Sequence, residues 1–155
     1  MQNTHMTERL RKLHGALLDI VVAMNGPQRD EALIGEAGIR LDRALFPLLV
    51  GIERFGPIGV VELADGVGRD YTTVSRQVAK LESLGLAQRR QALADRRVRE
   101  AVITAKGRAM TDLVDSAREK MVRAMLADWA DGEIEDLVRL MRKFADAYKE
   151  KRHGL

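Results

Sequence analysis

The sequence predicts a mainly α fold interrupted by one small β-hairpin. Three observations carry that reading. Apolar residues recur every three or four positions over long stretches near both ends. The middle of the chain runs short helix, glycine-rich turn, helix. Directly after it comes RRQALADRRVREAV (residues 89–102), which holds five arginines in fourteen residues and reads as two strands around a turn. With 155 residues, 46% hydrophobic and 32% charged, the composition fits a folded helical chain rather than a disordered one. A single domain over 1–155 is expected, with a central core at about 41–104 and flanking helices at about 6–24 and 106–150.

The elements follow in order. Residues 6–24 place Leu10, Leu13, Leu17, Ile20 and Met24 on one helical stripe, and Asn25-Gly26-Pro27 ends it. A loop with Gly35 and Gly38 is expected next. Residues 41–55 predict a second helix with Leu41, Leu45, Leu48, Leu49 and Ile52 inward. Pro47 lies inside it and predicts a kink or an early start. Gly56-Pro57 stops that helix. A short helix over 59–66 leads to the turn DGVGRD, where Asp70 is suited to cap the next helix. That helix spans 71–84, turns Val74, Val78, Leu81 and Leu84 inward, and ends at Gly85. Residues 86–91 and 97–104 predict strands joined by five residues, the second rich in β-branched side chains. Two helices close the chain. One, over 106–127, aligns Met110, Leu113, Val114, Ala117, Met121 and Met125. The other, over 133–149, aligns Ile134, Leu137, Val138, Met141, Phe144 and Tyr148, with Asp131 as its expected cap.

Several chemistries are excluded. The chain has no cysteine, so disulfides, thiol redox sensing and thiolate metal sites are absent. His5, His14 and His153 show no metal-ligand spacing. No nucleophile–base pair or phosphate-binding loop occurs, so an enzyme is not expected. Glu133, Glu135 and Asp136 cluster in a first helical turn, where acids are favoured regardless of function. No cofactor or metal is expected. No apolar run approaches the roughly 20 residues that span a bilayer, and the opening MQNTHM lacks the basic-then-apolar order of a secretion signal. A cytoplasmic protein, nucleoid-associated when bound to DNA, is expected.

Charge is unevenly placed. Residues 69–108 hold ten basic and four acidic side chains, a net +6, while the remainder of the chain carries −3. Such a patch suits a polyanionic partner, although charge alone fits a solvated face equally well. The order of elements is a helix-turn-helix followed by a wing. Helix 71–84 turns Thr72, Thr73, Arg76, Gln77 and Lys80 away from its apolar face, with Ser75 on the flank. Arg pairs with guanine, Gln with adenine, and Thr or Ser with a thymine methyl or a phosphate. Arg96 and Arg97 project from the hairpin turn, and a narrow minor groove attracts arginine. Arg89, Arg90 and Arg99 lie on the flanking strands, in reach of phosphates. Asp95 is expected to bond the turn backbone or to orient a neighbouring arginine.

Three pieces, ELADGVGRDYTTVSRQVAKLESLGLAQRR, then DRR, then ITAKG, resemble the MarR family of bacterial transcriptional regulators. The likeness is close over residues 63–107, and the flanking helices match in order and length. It rests on Leu-Glu-Ser-Leu-Gly-Leu, Asp-x-Arg and Thr-x-x-Gly occurring together at the expected spacing. The resemblance implies a homodimer built from intertwined terminal helices, with Arg97 entering a minor groove and Arg96 beside it. Gly66 departs from the larger helix former usual in the family, and Asp70 from its usual serine or threonine.

The flanking stripes also favour a homodimer, through Leu10, Leu13, Leu17, Met121, Met125, Leu137, Met141, Phe144 and Tyr148. A self-contained bundle is the alternative. Double-stranded DNA and a second copy of the chain are the expected partners, with no membrane. The family commonly holds small aromatic or phenolic effectors, and His14, Arg43 and Phe46 are candidates to border such a pocket. The expected function is a repressor that binds a pseudo-palindromic operator and is released by an effector. The alternatives are a DNA-binding or architectural protein without an effector, and a helical protein-interaction module.

Overall fold

The computed structural model describes residues 2–153. These form seven helices and a three-stranded antiparallel sheet: α1 (Gln2–Asn25), α2 (Pro27–Ala37), α3 (Phe46–Phe55), β1 (Ile58–Gly59), α4 (Val60–Val67), α5 (Tyr71–Ser83), β2 (Ala87–Gln91), β3 (Arg99–Ile103), α6 (Ala105–Met125) and α7 (Asp131–His153). The chain divides into two compact units, Met1–Ala117 and Arg118–Leu155.

Helix α2 replaces the expected loop. Pro27 opens it in the first turn, where a missing N–H costs nothing. Gly38, at φ 67°, closes it in the left-handed region, and the N–H of Ile39 reaches back to the Ile34 carbonyl at 3.3 Å. Gly35 inside the helix costs about 1 kcal/mol relative to alanine. Full burial of Leu33, worth about 1.5–3 kcal/mol, outweighs it. Leu33 packs with Phe46, Val114 and Ala117 in a small cluster of its own.

Helix α3 begins at Phe46 rather than at residue 41, so Pro47 lies in the first turn and kinks nothing. Before it, Asp42 organises a turn. Its Oδ1 accepts from the Ala44 N–H at 2.8 Å and its carbonyl from the Leu45 N–H at 2.9 Å. The main core joins α3, α4 and α5 to the sheet: Leu48, Leu49, Ile52, Val74, Val78, Leu81 and Ala101 are inaccessible to solvent, and Val60 and Leu63 of α4 are buried with them. The sheet order is β1-β3-β2. Strand β1, only two residues long, was not legible as a strand, and β2 and β3 are each shorter than expected. Residues 92–98 join them, a longer tip than the expected five.

The junction after the sheet explains Thr-x-x-Gly. Thr104 Oγ1 donates to the Gly85 carbonyl at 2.6 Å and accepts from the Gly107 N–H at 3.0 Å. Lys106 Nζ donates to the Leu84 carbonyl at 2.9 Å. Gly85 sits at φ 75°, the left-handed region that favours glycine. The start of α6 is thereby stapled to the end of α5. At the other end of α6, Asp131 is not the cap expected for α7. It is the first residue of that helix, and the Ala130 N–H before it donates to Glu133 Oε1 at 3.0 Å.

Gly107 permits the close approach of α6 to the chain leaving α5. A Cβ there would meet the Leu86 carbonyl oxygen and lie 2.7 Å from Ile103 Cδ1. Alanine gains up to about 1 kcal/mol over glycine in a helix. Overpacking against a backbone carbonyl costs about 1–3 kcal/mol, and the rigid neighbour sets the sign. Gly107→Ala is expected to lower the midpoint of urea unfolding; an unchanged or higher midpoint would contradict this packing.

Candidate nucleic-acid interface

Helices α4 and α5 are joined by a tight turn at Gly68, which adopts φ 68°. Asp70 caps α5: its Oδ2 accepts from the Thr73 N–H at 2.9 Å and its Oδ1 from the Thr73 hydroxyl at 2.7 Å. These two bonds, the hydroxyl's first, hold the Asp70 carboxyl below its ordinary pKa of 3.8. Val74, Val78 and Leu81 occupy the core. That leaves Thr72, Arg76 and Lys80 exposed, while Thr73, Ser75 and Gln77 are half-buried. The side chains of Arg76 and Lys80 make no hydrogen bond or ion pair among the described residues.

The wing is a braced turn. Val98 N–H donates to the Asp95 carbonyl at 3.0 Å, and Ala92 N–H to the Val98 carbonyl at 2.9 Å. Asp95 Oδ1 accepts from the Arg97 N–H at 3.0 Å and from its Nε at 3.2 Å, and Oδ2 from Nη2 at 3.3 Å. Asp95 therefore serves both roles expected of it, and the Arg97 side chain lowers its carboxyl pKa. The rest of Arg97 projects outward, its side chain 90% exposed.

The other arginines divide. The side chains of Arg96 and Arg99 make no hydrogen bond or ion pair among the described residues. Arg90 stands opposite Glu100 across the ladder, and its Nε donates to Glu100 Oε1 at 3.1 Å. The Arg89 backbone N–H donates to Glu82 Oε2 at 2.8 Å, and its Nη2 reaches Oε1 at 3.4 Å. The Arg89 backbone bond is the main cause lowering the Glu82 pKa. Glu82 thus ties β2 to the last turn of α5. Neither this acid nor Glu100 was legible as a brace. Their one signal was being carboxylates inside an arginine-rich stretch. Arg69, counted in the basic patch, is likewise engaged: its Nη1 donates to the Ala44 carbonyl at 2.7 Å and to Gln77 Oε1 at 2.9 Å.

The helix face and the wing belong to one compact unit. The apolar stripes of the flanking helices stay uncovered in the single chain: Leu10 is 55% exposed, Met125 70% and Tyr148 64%. Leu13, Met121, Leu137 and Met141 are also exposed, while Leu17 and Phe144 are half-buried. Phe144 and Tyr148 stack edge to face at 5.2 Å. Of the candidate pocket residues, His14 is exposed, Arg43 pairs with Glu31 at 3.0 Å, and Phe46 is buried in the small cluster. A groove of about 500 Å³ lies elsewhere, lined by Val122, Leu126, Trp129 and Ile134 among others. Among the described residues no acid, histidine or cysteine cluster could hold a metal, and no helix is long and apolar enough to cross a membrane.

A helix-turn-helix whose second helix exposes a basic, polar face, followed by a braced arginine wing, defines a winged-helix DNA-binding protein. A family model described as HVO_A0114 matches residues 42–102. The chain is 32% identical over 108 residues to an uncharacterized HTH-type transcriptional regulator, YxaD, of Bacillus subtilis (strain 168), covering 70% of this chain and 76% of that protein. It is similar in fold to the crystal structure of MarR, with a TM-score of 0.70 at 23% identity, covering 91% of this chain and 94% of that one. It is also similar to a MarR family protein from Bacillus stearothermophilus, with a TM-score of 0.73 at 20% identity and coverages of 92% and 97%. The chain belongs to the HTH-type transcriptional regulators, and it has the fold of MarR family proteins.

The Asp70 cap gives a pH signature. Because its folded pKa is lowered from 3.8, its contribution is complete above that value and is lost as pH falls through the folded pKa. Asp70→Ala is expected to lower the thermal midpoint at pH 7. The gap from wild type should narrow as pH falls below about 4. A gap that stays constant down to pH 2.5 would show that the carboxylate does not cap the helix.

Proposed function

We propose that the protein is a repressor that binds a pseudo-palindromic operator as a homodimer and is released by a small aromatic or phenolic effector. One observation carries the DNA-binding part. Unpaired cations on α5, Arg76 and Lys80, share a compact unit with an outward, carboxylate-braced Arg97 on the wing. In this reading α5 lies in a major groove. Arg76 reads a base edge with Gln77, Lys80 meets a phosphate, and Thr72, Thr73 and Ser75 meet phosphates or a thymine methyl. Arg97 enters a minor groove with Arg96 beside it, and Arg89, Arg90 and Arg99 track phosphates on the flanks.

Dimerisation is supported by the uncovered stripes on α1, α6 and α7. Each large apolar side chain taken out of water contributes about 1.5–3 kcal/mol, so a second copy that covers them is strongly favoured over a monomer. The chain then acts as one MarR-like domain over residues 1–155, and two-fold symmetry requires an inverted repeat in the DNA. Sedimentation at micromolar concentration is expected to give about twice 17.3 kDa. A monomer would remove the two-half-site reading. Release of operator DNA on titration with phenolic compounds tests the effector.

The wing and the recognition helix should separate in a salt series. A minor groove distinguishes base pairs poorly, so Arg97→Ala is expected to weaken binding to the best operator and to scrambled DNA alike. The salt slope should fall by about one per lost contact. Arg76→Ala is expected to cost about 1–3 kcal/mol per half-site and to relax preference at one base pair. Wild-type affinity and slope in Arg97→Ala would show that the wing does not touch DNA.

A further inference from the structure

Gln77 differs from its neighbours on α5 because half of its hydrogen-bonding capacity is already directed. Arg69 Nη1 holds Gln77 Oε1 at 2.9 Å while also holding the Ala44 carbonyl at 2.7 Å. Arg69 and Gln77 are both half-buried. The Ala44 carbonyl belongs to the Asp42 turn before α3, so the guanidinium is anchored to backbone on its far side. A side-chain amide carries its oxygen and its NH2 on opposite corners. With the oxygen held towards Arg69, the NH2 is turned away. Gln77 Nε2 makes no hydrogen bond among the described residues. Gln77 follows Thr73 by four positions and precedes Lys80 by three, so it shares a strip of α5 with both.

We infer that Arg69 is a positioning residue that holds the Gln77 amide oxygen towards itself and leaves the NH2 as the group presented, so that Gln77 selects guanine over adenine in the major groove. The inference rests on the reading of α5 as the helix that faces DNA. An unconstrained glutamine pairs with adenine by accepting from N6 and donating to N7, which needs both ends of the amide. Here a charged guanidinium occupies the oxygen end. Guanidinium stays protonated in proteins, and a bond from a charged donor is roughly twice as strong as a neutral one. Turning the amide over would set its NH2 against Arg69, donor against donor. The NH2 left facing outward finds two adjacent acceptors on guanine, O6 and N7. On adenine it finds one acceptor beside another amino group.

Selection from random duplex DNA with the full chain tests this, using wild type, Arg69→Met, Arg69→Lys, Gln77→Ala and Gln77→Glu. Wild type is expected to favour guanine at one base pair in each half-site. Arg69→Met frees the amide, and guanine preference there should fall roughly 3- to 10-fold, the scale of one hydrogen bond, with adenine rising and other positions unchanged. Arg69→Lys keeps a charged donor and should restore the preference. Gln77→Ala should lose it at the same base pair. Gln77→Glu keeps the bond to Arg69 but has no donor, and should lose it too, which provides a test independent of whether Arg69→Met folds. The inference is overturned if Gln77→Glu retains the wild-type preference, or if Gln77→Ala alters a base pair that folded Arg69→Met leaves untouched. If wild type enriches no sequence, the DNA-reading role of α5 fails, and that result is distinct from enrichment without a role for Arg69.

Discussion

The arrangement of the first unit depends on one constraint: the inner face of α5 is completely buried. Val74, Val78 and Leu81 have no solvent exposure, and a helix that commits three positions on one face to a core has no rotational freedom left. Thr72, Arg76 and Lys80 must then point outward. The same burial fixes where α5 ends. From that end Glu82 takes hold of Arg89, and Gly85, Thr104 and Lys106 tie the start of α6 to the same turn. The wing inherits its place from α5 rather than from a core of its own.

Carboxylates within a basic surface have a consistent use here. Asp70, Glu82, Asp95 and Glu100 are the four acids among residues 69–108, and each bonds a specific nearby partner: Thr73, Arg89, Arg97 and Arg90. Asp70 stabilises α5 as its cap, but exposed ion pairs contribute little stability, so stability does not explain the three acids that hold arginines. They set direction. Arg89 and Arg90 are held along the strands, whereas the side chains of Arg76, Lys80 and Arg96 make no hydrogen bond or ion pair among the described residues. The net +6 of the stretch therefore separates into cations that are positioned and cations that are free.

Much of this was legible because the physics is local. Asp70 as a cap, the inward positions Val74, Val78 and Leu81 of α5 and the glycine stop at Gly85 follow from side chains within one or two turns of one another. Leu84, expected inward, instead caps the end of α5 and is exposed. What was not legible depends on distant parts of the chain. Helix α2 exists because Leu33 finds Phe46, Val114 and Ala117, and its two glycines conceal it in sequence. Strand β1 is too short for any alternation to show and is defined only by pairing with β3. Arg69 read as one more surface cation, because its acceptors lie 25 residues before it and 8 after it. Gln77 correspondingly read as a free amide. The Asp131 cap was displaced by one residue because the Glu133 side chain satisfies the N–H of Ala130.

In the proposed DNA-binding reading, the Asp95–Arg97 contact lets an acid serve a surface that meets a polyanion. A long exposed arginine samples many rotamers, and ordering it on binding carries an entropic cost. Asp95 meets part of that cost in advance by holding Nε and Nη2 together with the Arg97 backbone N–H. Its carboxyl is kept ionised by the same bonds, so the brace persists at neutral pH. Repulsion between that carboxylate and phosphate is offset locally by the guanidinium it holds. Arg97 remains 90% exposed despite the pairing, so Nη1 stays available. A wing that is small and lacks an apolar core can in this way still present one cation in a defined direction, which is what the proposed entry into a narrow groove requires.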